Sequence, residues 1–304
     1  MRSKLKVIAR YVCICVGLLF LFSAGTKLYS IDSFEIYIFS LNFAGLDVSF
    51  LLARLLIAFE LLLGLSLCVP LFQRSACWVA FVSLIGFSVF LLWQMFIPHS
   101  EHCHCFGDWI QLSHKASLIK NLFLLSLILA VLWCQEHIKT KPRRRSYFLL
   151  LGFALFSLAL PFILSPPDSF YYEQYAQKND YNSNLLDSFL KTEHLDTTSC
   201  ILCFYGPTCP FCQLAAKKIE VIAHKNPDKF AVNFVFFGSK PQIKLFFQKN
   251  HLVEKPYLSL SPSSFLKITQ GNMPLIFLIR KGKVIHVFGY RDIREKQIIQ
   301  FYEH

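Results

Sequence analysis

Two cysteines, Cys209 and Cys212, enclose the dipeptide Pro210-Phe211 where an apolar run ends and an amphipathic stretch begins. A helix that begins here presents unpaired N–H groups and the positive end of its dipole, which stabilise a thiolate and lower its pKa from about 8.5. Cys209 is therefore predicted to be the nucleophile. Cys212, one helical turn further on, is predicted to resolve the mixed disulfide. This spacing indicates thiol–disulfide exchange.

A structural disulfide or half of a zinc site is the alternative for this pair. Cys200 and Cys203 supply a second C-x-x-C, but positions three apart on a strand point to opposite faces of the sheet, which argues against a shared metal. We expect Cys203 to be a small buried apolar residue. Cys200, at the start of the strand, is open to exposure and is assigned no role.

A second pair, Cys103 and Cys105, lies in a loop rich in histidine. Cysteines this close form a strained ring or exchange with an incoming thiolate. The alternative is a zinc or copper site of mixed ligands, formed by His102, Cys103, His104 and Cys105. We favour thiol exchange because a second dithiol is tethered in the same chain.

The composition indicates that these cysteines belong to a membrane protein. The chain has 304 residues, of which 54% are hydrophobic and only 16% charged, unlike an average soluble domain. Since a spanning helix needs about 20 apolar residues, the sequence predicts five spans, at 7–28, 48–70, 76–98, 117–136 and 147–164. The chain after Pro166 has no further stretch of that length and is predicted to be soluble.

The distribution of Lys and Arg predicts the orientation of the spans. These residues are frequent before the first span and between the fourth and fifth, whereas residues 28–47 contain none and residues 99–115 contain only Lys115. The positive-inside rule then predicts a cytoplasmic N-terminus in a bacterial inner membrane, with Cys103, Cys105 and the soluble part on the periplasmic, extracytoplasmic side. Topology partly explains the net charge of +12, so we expect no nucleic-acid partner.

Two charged residues lie inside predicted spans, where charge is costly. Both are expected to face the bundle interior or the interface. Arg54, near the outer end of its span, could simply extend to the interface, and Glu60, deeper, could pair or relay a proton. Simple helix–helix contact is the alternative for Glu60.

The soluble part resembles a thioredoxin-like domain over about residues 195–304. Hydrophobic periodicity predicts a strand, the helix of the dithiol, a strand, a helix, a hairpin and a closing helix, at 199–206, 209–225, 230–237, 241–249, 275–290 and 293–302. The resemblance implies that Met273-Pro274 is the cis-proline that faces the dithiol, which makes Pro274 a site residue. Thr208 departs from the tryptophan usual in thioredoxin itself.

The membrane part resembles the DoxX-like and methylamine-utilisation MauE families of four-helix membrane proteins. The residues that carry this resemblance are Ser23-Ala24-Gly25-Thr26-Lys27-Leu28, Phe34, Glu60, Gly64 and Cys103-His104-Cys105-Phe106-Gly107. The MauE resemblance implies a role in disulfide formation in an exported enzyme. The layout also resembles bacterial vitamin K epoxide reductase fusions, so a quinone is possible by analogy, although the sequence makes no cofactor certain.

These features predict a helical membrane bundle followed by an α/β thioredoxin-like domain. The predicted parts are a four-helix domain (1–136), a basic cytoplasmic loop with the fifth span (137–166), a linker (167–195) and the thioredoxin-like domain (196–304). The predicted function is membrane-bound exchange of electrons between extracytoplasmic proteins with cysteines and the Cys103/Cys105 pair. A metal-handling or transport protein, whose thioredoxin-like domain keeps the Cys/His loop reduced, and a structural assembly factor remain alternatives.

Overall fold

A computed structural model describes residues 2–96, 102–108, 110–135, 144–195, 197, 199–225 and 231–303. The side chains of residues 2–6, 102–108, 110–112, 135, 144 and 145 are outside this description. The chain divides into two compact units, one formed by residues 1–41 and 51–166 and the other by residues 42–50 and 167–304.

The first unit is helical, as its long apolar runs predict. Five of its helices are long and apolar enough to cross a membrane. Its elements are α1 (Arg2–Tyr29), α2 (Ile31–Ser40), α3 (Leu46–Cys68), α4 (Gln73–Phe96), β1 (His102–Asp108), β2 (Ile110–Ser113), α5 (His114–Gln135) and α6 (Arg144–Leu164), with the first turn of α3 assigned to the second unit. The short helix α2 lies in a segment where the sequence analysis predicted only a loop.

Helices α1 and α3 approach closely because glycines face each other between them. A Cβ atom on Gly17 would lie 2.8 Å from the carbonyl oxygen of Gly64, and a Cβ atom on Gly64 would lie 2.8 Å from Cγ of Leu21. Both distances are far below ordinary van der Waals contact. Small residues are the usual means by which membrane helices pack backbone against backbone, so this pair fixes where α1 and α3 meet.

The second unit contains a five-stranded mixed sheet with helices. After a 3-10 turn (Asp168–Phe170), its elements are α7 (Tyr172–Ala176), α8 (Ser183–Thr192), β3 (Ser199–Tyr205), α9 (Pro210–Lys225), β4 (Val232–Phe237), α10 (Lys240–Lys249), β5 (Tyr257–Leu260), α11 (Pro262–Thr269), β6 (Leu275–Arg280), β7 (Lys283–Phe288) and α12 (Glu295–Glu303). The strand order is β5-β4-β3-β6-β7, in which β3, β4 and β5 are parallel while β6 and β7 run antiparallel to their neighbours. This is the predicted thioredoxin-like α/β fold, and β5 and α11 are additions to the elements predicted.

Part of the segment predicted as a linker, residues 167–195, is folded into the second unit. The side chain of Asn182 accepts a hydrogen bond from the N–H of Leu185 and so caps α8. Helix α8 is amphipathic, and Leu186 and Leu190 are buried in the same core cluster as residues of β3 and β6. Burial of this apolar face offsets the entropy of ordering the segment.

Candidate functional site

The dithiol lies at the start of α9, directly after the central strand β3. The carbonyl oxygen of Cys209 accepts a hydrogen bond from the N–H of Gln213, so Cys209 caps the helix that begins at Pro210. The N–H of Cys212 points to Sγ of Cys209 at 3.3 Å. Cys209 is partly exposed, whereas Cys212 is fully buried. One sulfur can therefore meet another protein while the second stays behind it.

The surroundings of the two sulfurs separate their acidities. The pKa of Cys209 falls from 9.0 to about 7, chiefly because the Cys212 side chain hydrogen-bonds its sulfur, with further stabilisation by the N–H groups of Cys212 and Phe211; partial burial opposes this shift. The pKa of Cys212 rises, first because burial disfavours its thiolate and then because it lies beside Cys209. Cys209 is thus the sulfur that is ionised near neutral pH, in agreement with the predicted nucleophile.

A small groove adjoins the dithiol helix. Its lining includes Phe211, Met273, Pro274 and Tyr290. The Met273-Pro274 peptide bond is cis, as the thioredoxin resemblance implied. A Cβ atom on Gly206 would lie 3.0 Å from Sδ of Met273 and 3.3 Å from Cβ of Cys209, so any larger residue here would crowd both side chains. Phe211, Met273 and Pro274 give the groove an apolar wall.

A buried lysine beneath the groove was not anticipated from the sequence. Lys218 lies on α9, is only 1% exposed, and has its Nζ 3.7 Å from Oδ2 of Asp168. The same Nζ lies 4.0 Å from the centroid of the Tyr290 ring, which itself packs against Phe211 at 5.6 Å. Asp168 also forms an ion pair with Arg291. This network joins the segment before α7 to the helix and to the groove.

The other two cysteines of this unit are sealed inside it. Cys200 is 1% exposed and Cys203 is fully buried. Burial raises the pKa of Cys203 to about 12. Cys203 is therefore the small apolar residue that was expected, and the exposure left open for Cys200 is not observed, because β3 is the central strand of the sheet.

In the first unit, four of the residues that carried the DoxX-like and MauE resemblance meet between α1, α2 and α3: Ser23, Lys27, Phe34 and Glu60. The ammonium of Lys27 forms an ion pair with Glu60, whose Oε2 also accepts a hydrogen bond from Oγ of Ser23 at 3.1 Å. Nζ of Lys27 lies 5.4 Å from the centroid of the Phe34 ring. The expectation that Glu60 pairs holds, and its partner is the lysine of the sequence motif.

The side chain of Arg54 lies in the interior of the first unit. Its side chain is 2% exposed, forms an ion pair with Glu35 of α2, and donates from Nε to the carbonyl oxygen of Ser165 at 2.7 Å. A buried pair of this kind satisfies both charges. Of the two placements expected for Arg54, the bundle interior is therefore the one observed, and extension to the interface is not.

Cys103 and Cys105 lie on β1, which pairs with β2 in an antiparallel hairpin. In this hairpin the backbone of Cys103 is opposite Leu112. Their side chains, and those of His102 and His104, are outside the described part of the chain. Thiol exchange and metal binding by these residues therefore both stay predictions.

Comparison with known proteins agrees with this architecture. Residues 5–134 match the family described as methylamine utilisation protein MauE. Over 300 residues, the chain is 23% identical to Protein TlpB of Flavobacterium psychrophilum, and the match covers 80% of each chain. No solved structure matches. Residues 5–134 are therefore a MauE family domain of a multi-pass membrane protein, and a thioredoxin-like part follows it.

Proposed function

We propose that this protein is a membrane-bound thiol–disulfide oxidoreductase that exchanges electrons with cysteines of exported proteins. The observation that supports it most is the asymmetry of the dithiol. Cys209 is partly exposed with a pKa of about 7, while Cys212 is fully buried behind it with a raised pKa. A stable thiolate in front of a shielded thiol is the arrangement that both halves of an exchange reaction require.

In the reducing direction, the thiolate of Cys209 attacks one sulfur of a substrate disulfide. A mixed disulfide forms, and the other substrate sulfur leaves as a thiolate that takes up a proton. Cys212 then loses its proton and attacks Sγ of Cys209, 3.3 Å from the Cys212 N–H. The second substrate sulfur leaves, and Cys209 and Cys212 are joined by a disulfide. The oxidising direction is the reverse of these steps.

The groove is proposed to hold the substrate segment during exchange. Pro274 and Met273 line it, and Gly206 keeps Met273 close to Cys209. The Cys209/Cys212 pair is then proposed to exchange with Cys103 and Cys105, which makes the chain a relay between substrate proteins and its membrane domain. The Lys and Arg distribution supports an inner-membrane location with the thioredoxin-like domain extracytoplasmic.

Trapping tests this proposal. Replacing Cys212 with serine removes the resolving sulfur, so mixed disulfides of Cys209 should accumulate in membranes and be identified by mass spectrometry without reduction. A bond from Cys209 to Cys103 or Cys105 is expected besides bonds to exported proteins. The double variant Cys209→Ser/Cys212→Ser should trap nothing.

A Cys200→Ser variant is the matched control. It removes a buried thiol of the same domain and should leave the trapped species unchanged. If Cys209 traps no protein, and the purified chain holds stoichiometric zinc or copper that is lost on replacing His102 and His104, metal handling replaces the proposed function.

A further inference from the structure

The groove beside the dithiol has a wall that comes from outside the predicted thioredoxin-like elements. Its volume is about 240 Å³. Its lining combines residues of the dithiol helix and of the cis-proline loop with three residues of the segment before α8: Tyr175, Lys178 and Asn179. The segment that was predicted to be a linker therefore contributes a wall to the groove in which the substrate is proposed to lie.

Hydrogen bonds hold this wall against the loops that flank the hairpin of β6 and β7. Nδ2 of Asn179 donates to Oδ2 of Asp292 at 2.7 Å, and Nδ2 of Asn272 donates to the carbonyl oxygen of Asp180 at 3.0 Å. A Cβ atom on Gly289 would lie 2.7 Å from Oδ1 of Asn179, so a side chain there would displace the amide. Side chains held in this way give a binding site a defined shape before a ligand arrives.

Arg291 lines the same groove and is oriented by two neighbours. Its Nη1 lies 2.9 Å from Oδ1 of Asp168, and its guanidinium carbon lies 5.7 Å from the centroid of the Tyr175 ring. Asp168 also pairs with the buried ammonium of Lys218, whose Nζ is 3.7 Å from Oδ2. One carboxylate is shared by two cations, so these three side chains together carry one net positive charge.

The charges of the lining differ in what they offer to an occupant. Lys178 is exposed on the wall, and Arg291 is partly exposed. Asp292 also belongs to the lining, but it is buried, and its two oxygens accept hydrogen bonds from the N–H of Gly289 and from Nδ2 of Asn179. The negative charge is thus satisfied within the domain, whereas the positive charges meet whatever enters the groove.

We propose that Lys178 and Arg291 select substrate segments that carry an aspartate or a glutamate beside the reactive cysteine. A carboxylate in the groove accepts charge-assisted hydrogen bonds from the ammonium and the guanidinium, which are stronger than those between neutral groups. A basic segment meets like charges, and an apolar segment gains only its contacts with Phe211 and Met273. The inference rests on the proposed function, because it names the class of protein with which Cys209 exchanges.

Three model peptides, which differ only in having glutamate, glutamine or lysine beside a single cysteine, test this selection. Each peptide cysteine is carried as a mixed disulfide with 2-thiopyridine. The thiolate of Cys209 attacks the peptide sulfur, and the pyridine thiolate leaves and takes up a proton. The full chain with Cys212→Ser, in lipid nanodiscs, retains the peptide on Cys209. Mass spectrometry without reduction then gives the rate at that cysteine.

The glutamate peptide should react about 5-fold faster than the glutamine peptide, the upper end of the range for an exposed ion pair. The lysine peptide should react most slowly, and the differences should shrink as the salt concentration is raised. Adding Lys178→Gln should reduce the preference to about 2-fold, since Arg291 remains. Adding Lys178→Glu should make the lysine peptide react faster than it does without this change.

Lys244→Gln is the matched control, because it removes the same charge from an exposed position on α10 that does not line the groove. It should keep the full preference. Equal rates for the glutamate and glutamine peptides, or the same loss of preference in Lys244→Gln as in Lys178→Gln, would overturn the inference and leave the proposed function standing. If Cys209 reacts with none of the three peptides, the proposed function fails and the inference fails with it.

Discussion

Replacing Cys212 with alanine should make Cys209 a weaker acid and change its reactivity in a defined way. In the structure, the Cys212 side chain is the largest cause of the lowered pKa of Cys209, which is about 7 instead of 9.0. The N–H groups of Cys212 and Phe211 contribute less and remain in the variant, while partial burial continues to oppose ionisation. The pKa of Cys209 should therefore rise most of the way back towards 9.0.

The magnitude follows from two opposing effects. A full return by two pKa units would lower the thiolate fraction at pH 7 from about one half to about 1%, a loss of roughly 50-fold. A more basic thiolate is also a better nucleophile, which at a Brønsted coefficient of about 0.4–0.5 returns roughly 6- to 10-fold. The net expectation is a reaction about 5- to 8-fold slower at pH 7. Well above pH 9.0 the variant should instead react faster than the parent protein.

The pKa and the reaction rate of Cys209 can both be measured from its alkylation by iodoacetamide as a function of pH, with the Cys209 peptide followed by mass spectrometry. Cys203 is an internal negative control, because burial raises its pKa to about 12 and it should stay unlabelled in both proteins. The parent midpoint should be near pH 7. A variant midpoint that also stays near 7 would refute the assignment of the shift to the Cys212 side chain and transfer it to the helix N–H groups.

Two further predictions concern the membrane unit. Gly64→Leu should destabilise the bundle by about 1–3 kcal/mol, because its Cβ atom would meet Gly17 and Leu21. Gly86→Leu is the control: a Cβ atom at Gly86 has no neighbouring atom within 4 Å, so the thermal midpoint in detergent should be unchanged. Arg54→Met should cost about 3–5 kcal/mol because it leaves the buried Glu35 carboxylate without its guanidinium. Arg54→Met/Glu35→Met should recover most of this in the same thermal assay, and a double variant as unstable as the single one would contradict a pairwise cause.

The sequence was most informative where a function depends on local spacing. Cys209 and Cys212, three positions apart at a strand-to-helix junction, indicated both the helix and the order of acidities, and each is found as expected. The spans were equally accessible, since length and composition alone determine whether a helix can cross a membrane. Pairing of Glu60 could be expected because an unpaired charge in a bundle is costly, although the sequence did not identify Lys27 as the partner.

Features that depend on distant partners were not predictable. The sequence left Arg54 open to either the bundle interior or the interface, because its partner, Glu35, lies in a segment that had been interpreted as a loop. Lys218 has a helical surface pattern in sequence, and only the fold brings Asp168 and Tyr290 to it. Strand β5, with four residues and no fully buried position, carries too weak an alternation to be recognised.

The burial of Cys200 and Cys203 has a consequence for fidelity. Four thiols within one domain allow three ways of pairing them into two disulfides, and a domain that repeatedly forms mixed disulfides risks isomerising into a wrong one. Cys203 is inside the sheet, and burial raises the pKa of its thiol to about 12, so its thiolate is rare at neutral pH. Scrambling that involves Cys203 is therefore expected to require an opening of the central strand.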